Sequence, residues 1–210
     1  MKDEIAYTWD EIAEIAKAIS NDNSITDDSE TATVNGKTLK VGQMKKLDGK
    51  KVRILGFNHD TLTTSTAYGS ATATGKAGIS FEYVDFLIDS AQMNSSSTNS
   101  GGWASTALRT RLNGTIYDSL SIKNNIKKVK KDYIPDYSTA STSTSEDYLW
   151  LLSCGEIWSD GYNGGTTRGL AITTEGKQYN LYTNIANGDI SEGYEYLVDF
   201  KKEYIPIFTY

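Results

Sequence analysis

Two segments limit what this chain can fold into: GGWASTALRTRLNGTIYDSL at residues 101–120 and YLWLLS at 148–153. The first reads as a glycine-hinged aromatic anchor, Trp103, followed by an amphipathic helix. The second reads as a buried strand. Ser105 has the chemistry of an N-cap for a helix that uses Leu108, Leu112 and Ile116, spaced by four. The Asn113-Gly114 pair falls inside that pattern and weakens its second half by roughly 1 kcal/mol relative to alanine. The spacing therefore predicts a helix over 105–113 with a bend after it. Residues 147–152 give the clearest buried strand. Ser153 and Glu156 then have the spacing of a capping box, which puts Ile157 and Trp158 in a short helical turn.

The remainder of the chain alternates between periods. Thr8 and Glu11 make another capping box, and Ile12, Ile15, Ala16 and Ile19 line one face, so residues 9–19 form a short helix. Asp10, Glu11 and Glu14 sit near its positive end. Residues 21–30 are a polar, acidic loop. Two-residue turns at Asn35-Gly36 and Asp48-Gly49 then separate short runs with β-branched and alternating residues, the second leading into a strand at 51–57. Residues 61–76 read as an exposed loop or a weak edge hairpin. Residues 79–88 read as a buried strand entering a short turn of helix. The run IKKVKKDY is preceded by Ile122 and Asn124-Asn125, and its Ile122, Ile126 and Val129 repeat at helical spacing. This predicts a helix over 121–131 with Lys123, Lys127, Lys128, Lys130 and Lys131 on its solvated face. Residues 138–145 are low-complexity and read as surface.

Composition excludes some functions. A net charge of −6 is wrong for a nucleic-acid partner, which needs a basic surface to displace counterions. Residues 1–9 are too charged for a signal peptide, and no apolar run approaches the ~18 residues of a membrane span. Membrane insertion is not expected. The 14 tyrosines supply large, half-polar side chains suited to sheets and to binding faces alike.

Few residues are candidates for chemistry. His59 is the only histidine and reads as a structural ring at a strand end. No nucleophile elbow accompanies it. Cys154 is the only cysteine, so no internal disulfide forms, and a buried inert thiol is expected. The Gly-rich stretch at 161–165 lacks the lysine and the strand–helix context of a phosphate loop. The Gly-, Asn- and Thr-rich segments after Asp160 are the expected ligand-facing loops. They carry Tyr162, Asn163, Arg168 and Tyr179, which with Trp150 are the candidate ligand-binding residues. Trp103, Trp150 and Trp158 read as core anchors or as a sugar-stacking platform, with Trp150 the most usable because it faces away from Leu149 and Leu151. No cofactor is expected. Calcium is the ion that such oxygen-rich loops would take, through Asp160, Asp189 and Glu192, with Asn163 nearby.

Phe57-Asn-His-Asp60, Gly101-Gly-Trp103, Leu108-Arg109, Leu112-Asn113, Leu149-Trp-Leu-Leu-Ser153 with Glu156, and Glu175-Gly-Lys-Gln-Tyr179 occur in an order that resembles a domain family of unknown function. That family is C-type-lectin-like or sulfatase-modifying-factor-like. It occurs in tail and other virion proteins of phages infecting gut Firmicutes and in bacterial surface proteins. The family's closing Trp-Leu-Arg-Ser-Pro-like segment is not seen in this sequence: either it is missing, or residues 204–210 take its place. The resemblance implies a single α+β, C-type-lectin-like domain with a twisted, mainly antiparallel sheet over 31–210. Residues 1–30 would be an N-terminal helix and acidic loop that serve as an attachment segment.

The function it implies is non-enzymatic: a phage virion structural protein, tail-fibre-like or head-decorating, whose loops meet a host surface. Expected partners are further copies of the chain, with a trimer as one candidate, other virion proteins, and a host-surface glycan or protein. The expected location is the virion after synthesis in the host cytoplasm. The alternatives are a bacterial cell-surface or extracellular binding module, and a sulfatase-modifying-type enzyme. The oxidase chemistry of that last superfamily would want a cysteine pair, and one thiol cannot supply it.

Overall fold

The architecture was read from a computed structural model that describes residues 4–84, 86–88, 91–98, 100–135, 141–157, 175–186 and 206–210. Helix α1 spans Trp9–Ser20 and opens with the Thr8–Glu11 capping box. Four strands follow: β1 (Thr31–Val34), β2 (Lys37–Lys40), β3 (Met44–Leu47) and β4 (Lys50–Phe57). They form two hairpins. Asn35 and Gly36 turn the first with φ of 52° and 72°, and Asp48 and Gly49 turn the second with 48° and 83°. Positive φ at both central residues matches the twist of the paired strands, which is why these dipeptides read so clearly. Strand β5 is Ile79–Tyr83. Short helices α2 (Ala107–Arg111) and α3 (Tyr117–Ser119) flank a wide turn at Leu112–Ile116. Strands β6 (Val129–Tyr133), β7 (Ser143–Asp147) and β8 (Leu149–Leu151), helices α4 (Cys154–Ile157) and α5 (Asn180–Ala186), and strand β9 (Pro206–Thr209) complete the described elements.

This is an α+β fold with antiparallel strand pairing. Its main sheet has the order β3-β4-β5-β9-β8, and β1-β2 and β6-β7 form separate two-stranded ribbons. Strand β5 is buried at every position, and the alternation of side chains explains why. Phe81 meets Trp9 of α1 and Phe208 of β9 on one face. Its neighbours Ser80 and Glu82 point to the other face, where they bond to Asp60 and to Tyr182 of α5. A strand covered on both sides loses the polar-out alternation of a half-exposed one. Ile12, Ile15, Ala16 and Ile19 of α1 are all buried in the common core, so the apolar face of this helix is used against the sheet. No described helix is long and apolar enough to cross a membrane.

Several elements differ from the sequence expectation. The helix expected at 121–131 is a series of turns followed by β6. Ile122, Ile126 and Val129 are buried as their spacing implies, but strand alternation from Val129 onward turns Lys131 inward. The expected surface stretch ends in β7, where Ser145 is buried. The N-cap of α2 is Thr106, whose hydroxyl accepts the Arg109 N–H, because Trp103–Ser105 first make a 3-10 turn. The bend after Asn113 is present, and Gly114 departs from helical geometry there. The helical turn expected before residue 88 is absent from the described residues.

Candidate functional site

A buried ionic cluster lies between the end of β4, the centre of β6 and the segment entering α5. Asn58, at φ 44°, leaves the sheet and donates its side-chain amide to the carbonyls of Ile19 and Ile25 at 2.9 and 2.8 Å. That anchor ties the acidic loop to the sheet and sets the two residues that follow. The His59 ring stacks on Tyr179 with centroids 3.8 Å apart, and its Nε2 lies 3.1 Å from the Lys177 carbonyl. It is thus a ring held to backbone at a strand end. The Asp60 carboxylate accepts from Ser80 Oγ at 2.5 Å and from the Tyr179 hydroxyl at 2.8 and 2.9 Å. Lys131 Nζ reaches Asp60 Oδ1 at 2.7 Å and contacts Glu156 Oε1 directly. The same ammonium sits 4.4 Å above the Trp150 ring.

Glu156 is held from its other side by the second capping box: the Ser153 N–H donates to Oε2 at 3.0 Å, and Ser153 Oγ accepts the Glu156 N–H. The glutamate that caps α4 therefore also neutralises a lysine from β6. Burial disfavours charge on Asp60, yet the Lys131 ammonium and the His59 contact hold its carboxyl well below the usual range. Burial likewise opposes the charge on Lys131, and Asp60 and Glu156 outweigh it. Tyr179 is raised by burial first and by these two carboxylates next, so its hydroxyl stays protonated and donates.

One side of this cluster forms the floor of a cleft of ≈ 230 Å³ walled by Met93, Trp103, Tyr133 and Trp150. Trp103 is held at the wall by a second buried carboxylate, Asp147, which accepts from its Nε1 at 3.0 Å, from Arg109 Nε at 2.6 Å and from Ser145 Oγ at 2.5 Å. Trp150 is 1% exposed and its Nε1 has no hydrogen-bond partner among the described residues. Buried indole N–H groups normally find an acceptor, and this one is enclosed by protein rather than open to the cleft. Glu175 also lines the cleft. It accepts the Ile134 N–H at 2.6 Å, and burial raises its carboxyl above the ordinary value, with Glu156 adding to the effect.

The sequence pattern described as a domain of unknown function, DUF6273, matches residues 74–199. The chain belongs to the DUF6273 family. No curated protein and no solved structure matches it. The DUF6273 match includes Lys131, Glu156, Tyr179 and the cleft tryptophans, while His59 and Asp60 precede it.

Of the candidate ligand-binding residues, Trp150 forms part of the cleft. Tyr179 is fully buried and bonds to Asp60 and Lys131 beneath it. Tyr162, Asn163 and Arg168 lie outside the described residues, as do Asp160, Asp189 and Glu192 and the aromatic Trp158. Among the described residues no group of His, Cys, Asp or Glu is arranged to hold a metal ion. The Cys154 side chain is also outside the description. Sequence reasoning missed Asp60, Lys131 and Glu175 as site residues. The signal for Lys131 was present as the alternation Val129, Lys131, Tyr133. For Asp60 and Glu175 no local pattern marks the partner, because each is completed by segments remote in the chain.

Proposed function

We propose that this DUF6273 protein is a non-enzymatic binding module, a virion component of tail-fibre or decoration type in a C-type-lectin-like arrangement. In this reading it meets a host-surface glycan. The observation that carries the reading is the cleft between Trp103, Tyr133 and Trp150, an aromatic recess with Glu156 and Glu175 in its lining. Sugar rings offer apolar faces that stack on aromatics, together with hydroxyls that donate to a carboxylate. The ionic network beneath holds the wall rigid. It occupies His59, Lys131, Glu156 and Tyr179 with one another, which supports binding over turnover.

Glycan-array screening with and without calcium tests ligand recognition. Co-purification with phage particles tests the location, and recovery from the bacterial surface without particles supports the cell-surface alternative. On a glycan that binds, Trp103→Ala is expected to weaken binding on the order of thirtyfold, the effect of removing an aromatic anchor. Unchanged affinity in a folded Trp103→Ala variant removes the cleft from the reading.

A further inference from the structure

We propose that Lys131 and Asp60 condense to form an internal amide bond that covalently ties β6 to the end of β4. The geometry already holds the reactants together. Lys131 Nζ lies 2.7 Å from Asp60 Oδ1, and the two residues are 71 positions apart in the chain. Both side chains are almost completely buried, at 9% and 2% exposure. An amine at hydrogen-bond distance from a carboxyl oxygen needs only a small rotation to address the carbonyl carbon. Such fixed pairs react with effective concentrations on the order of 10⁵ M or more.

The neighbours divide into two roles. Asp60 receives two hydroxyl donors, Ser80 Oγ and Tyr179 Oη, so its oxygens are the ones polarised and able to carry developing negative charge. Glu156 has its Oε2 fixed by the Ser153 N–H and its Oε1 on Lys131, which suits it to move protons. Condensation begins when the ammonium gives one proton to the Asp60 carboxylate, leaving a neutral amine and a carboxylic acid. The ion pair is the favoured state of these groups, so this exchange is the uphill step, and burial, which opposes both charges, lowers its cost. The amine lone pair then forms the N–C bond. Glu156 takes the second proton from nitrogen and returns it to the departing hydroxyl, and the C–O bond breaks to release one water. The balance is ammonium plus carboxylate to amide plus water, with Glu156 unchanged and no oxidant or co-reactant. The adjoining cleft, whose floor includes Lys131 and Glu156, gives the water an exit.

The experiment is intact-mass spectrometry of the purified full chain after denaturation, with allowance for N-terminal processing. The expected mass is lower than that of the sequence by one water, and a protease digest contains a branched peptide joining Lys131 to Asp60. Lys131→Met is expected to restore the full sequence mass whether or not it folds. Folded Glu156→Gln is expected to accumulate unlinked chain. A wild-type chain at full sequence mass overturns the proposal, as does a water loss mapped to any other pair, including Lys131 with Glu156. A Glu156→Gln variant that links completely and as fast as wild type removes the role assigned to Glu156.

Discussion

Arg53 and Glu82 face each other across β4 and β5 in register, and their side chains are 4% and 1% exposed. The carboxylate also accepts from the Tyr182 hydroxyl at 2.7 Å. Arg53→Met would leave the Glu82 carboxylate in the middle of the sheet without the Arg53 cation, and Glu82→Leu would leave the guanidinium without the Glu82 carboxylate. Breaking a buried pair from one side costs roughly 3–5 kcal/mol, because the remaining charge stays desolvated without its counter-charge. The double substitution Arg53→Met, Glu82→Leu removes both charges. What remains is mainly the loss of an acceptor for Tyr182, about 1–3 kcal/mol. The two single costs therefore exceed the double cost, and a double-mutant cycle should give a coupling of at least roughly 3 kcal/mol. Urea unfolding of the four proteins reads this as shifts in midpoint at constant slope. Additive single and double effects, or single costs under about 1 kcal/mol, would refute the reasoning, since they would mean that water reaches the pair.

Three other expectations follow from particular contacts. A Cβ on Gly78 would lie 1.9 Å from the Ala16 carbonyl oxygen of α1, a backbone atom. Gly78→Ala should therefore separate helix from sheet and cost about 3 kcal/mol or more in chemical unfolding; a fully stable variant would show that α1 is not seated there. Asn113 accepts the N–H groups of Tyr148 and Leu149 and donates to the Leu149 carbonyl, so Asn113→Ala should lose roughly 1–3 kcal/mol. Asn113→Asp keeps the acceptors but sets a carboxylate oxygen against the Leu149 and Arg109 carbonyls, so it should also destabilise in the same assay. Burial raises the hydroxyls of Tyr68, Tyr83 and Tyr182, and it pushes Tyr210 up to about 12. A raised folded value stabilises the protein fully below the unfolded tyrosine value of 10.0, and the benefit is lost as pH climbs through the folded values. Phenolate absorbance should show a tyrosine class that ionises only together with loss of circular dichroism. Full ionisation near pH 10 with the fold intact would contradict this.

The local features were readable because their causes are local. Both capping boxes, at Thr8–Glu11 and Ser153–Glu156, use a hydroxyl and a carboxylate three residues apart, and both form. The two turns at 35–36 and 48–49 need only residues that tolerate positive φ. The central strand at Ile79–Tyr83 follows from a run with too many apolar residues for a half-exposed strand. The lysine-rich segment shows the boundary of this reading. Its Ile122, Ile126 and Val129 fit a helical face, and they are buried, but turns followed by a strand bury them equally well.

What decides between the two lies outside that segment. β6 forms because β7 lies beside it, with Lys131 opposite Ser145, and Lys131 turns inward because Asp60 and Glu156 wait there to hold its charge. The candidate site has the same origin. Its carboxylates come from the loop after β4 and from α4, its phenol from the start of α5, and its indoles from 103 and 150. The amino-acid order settles where caps, turns and apolar faces fall, since those depend on neighbours within a few residues. Only the packed chain settles which buried charge meets which, because a lysine side chain is soluble in water until counter-charges dozens of residues away make its burial tolerable.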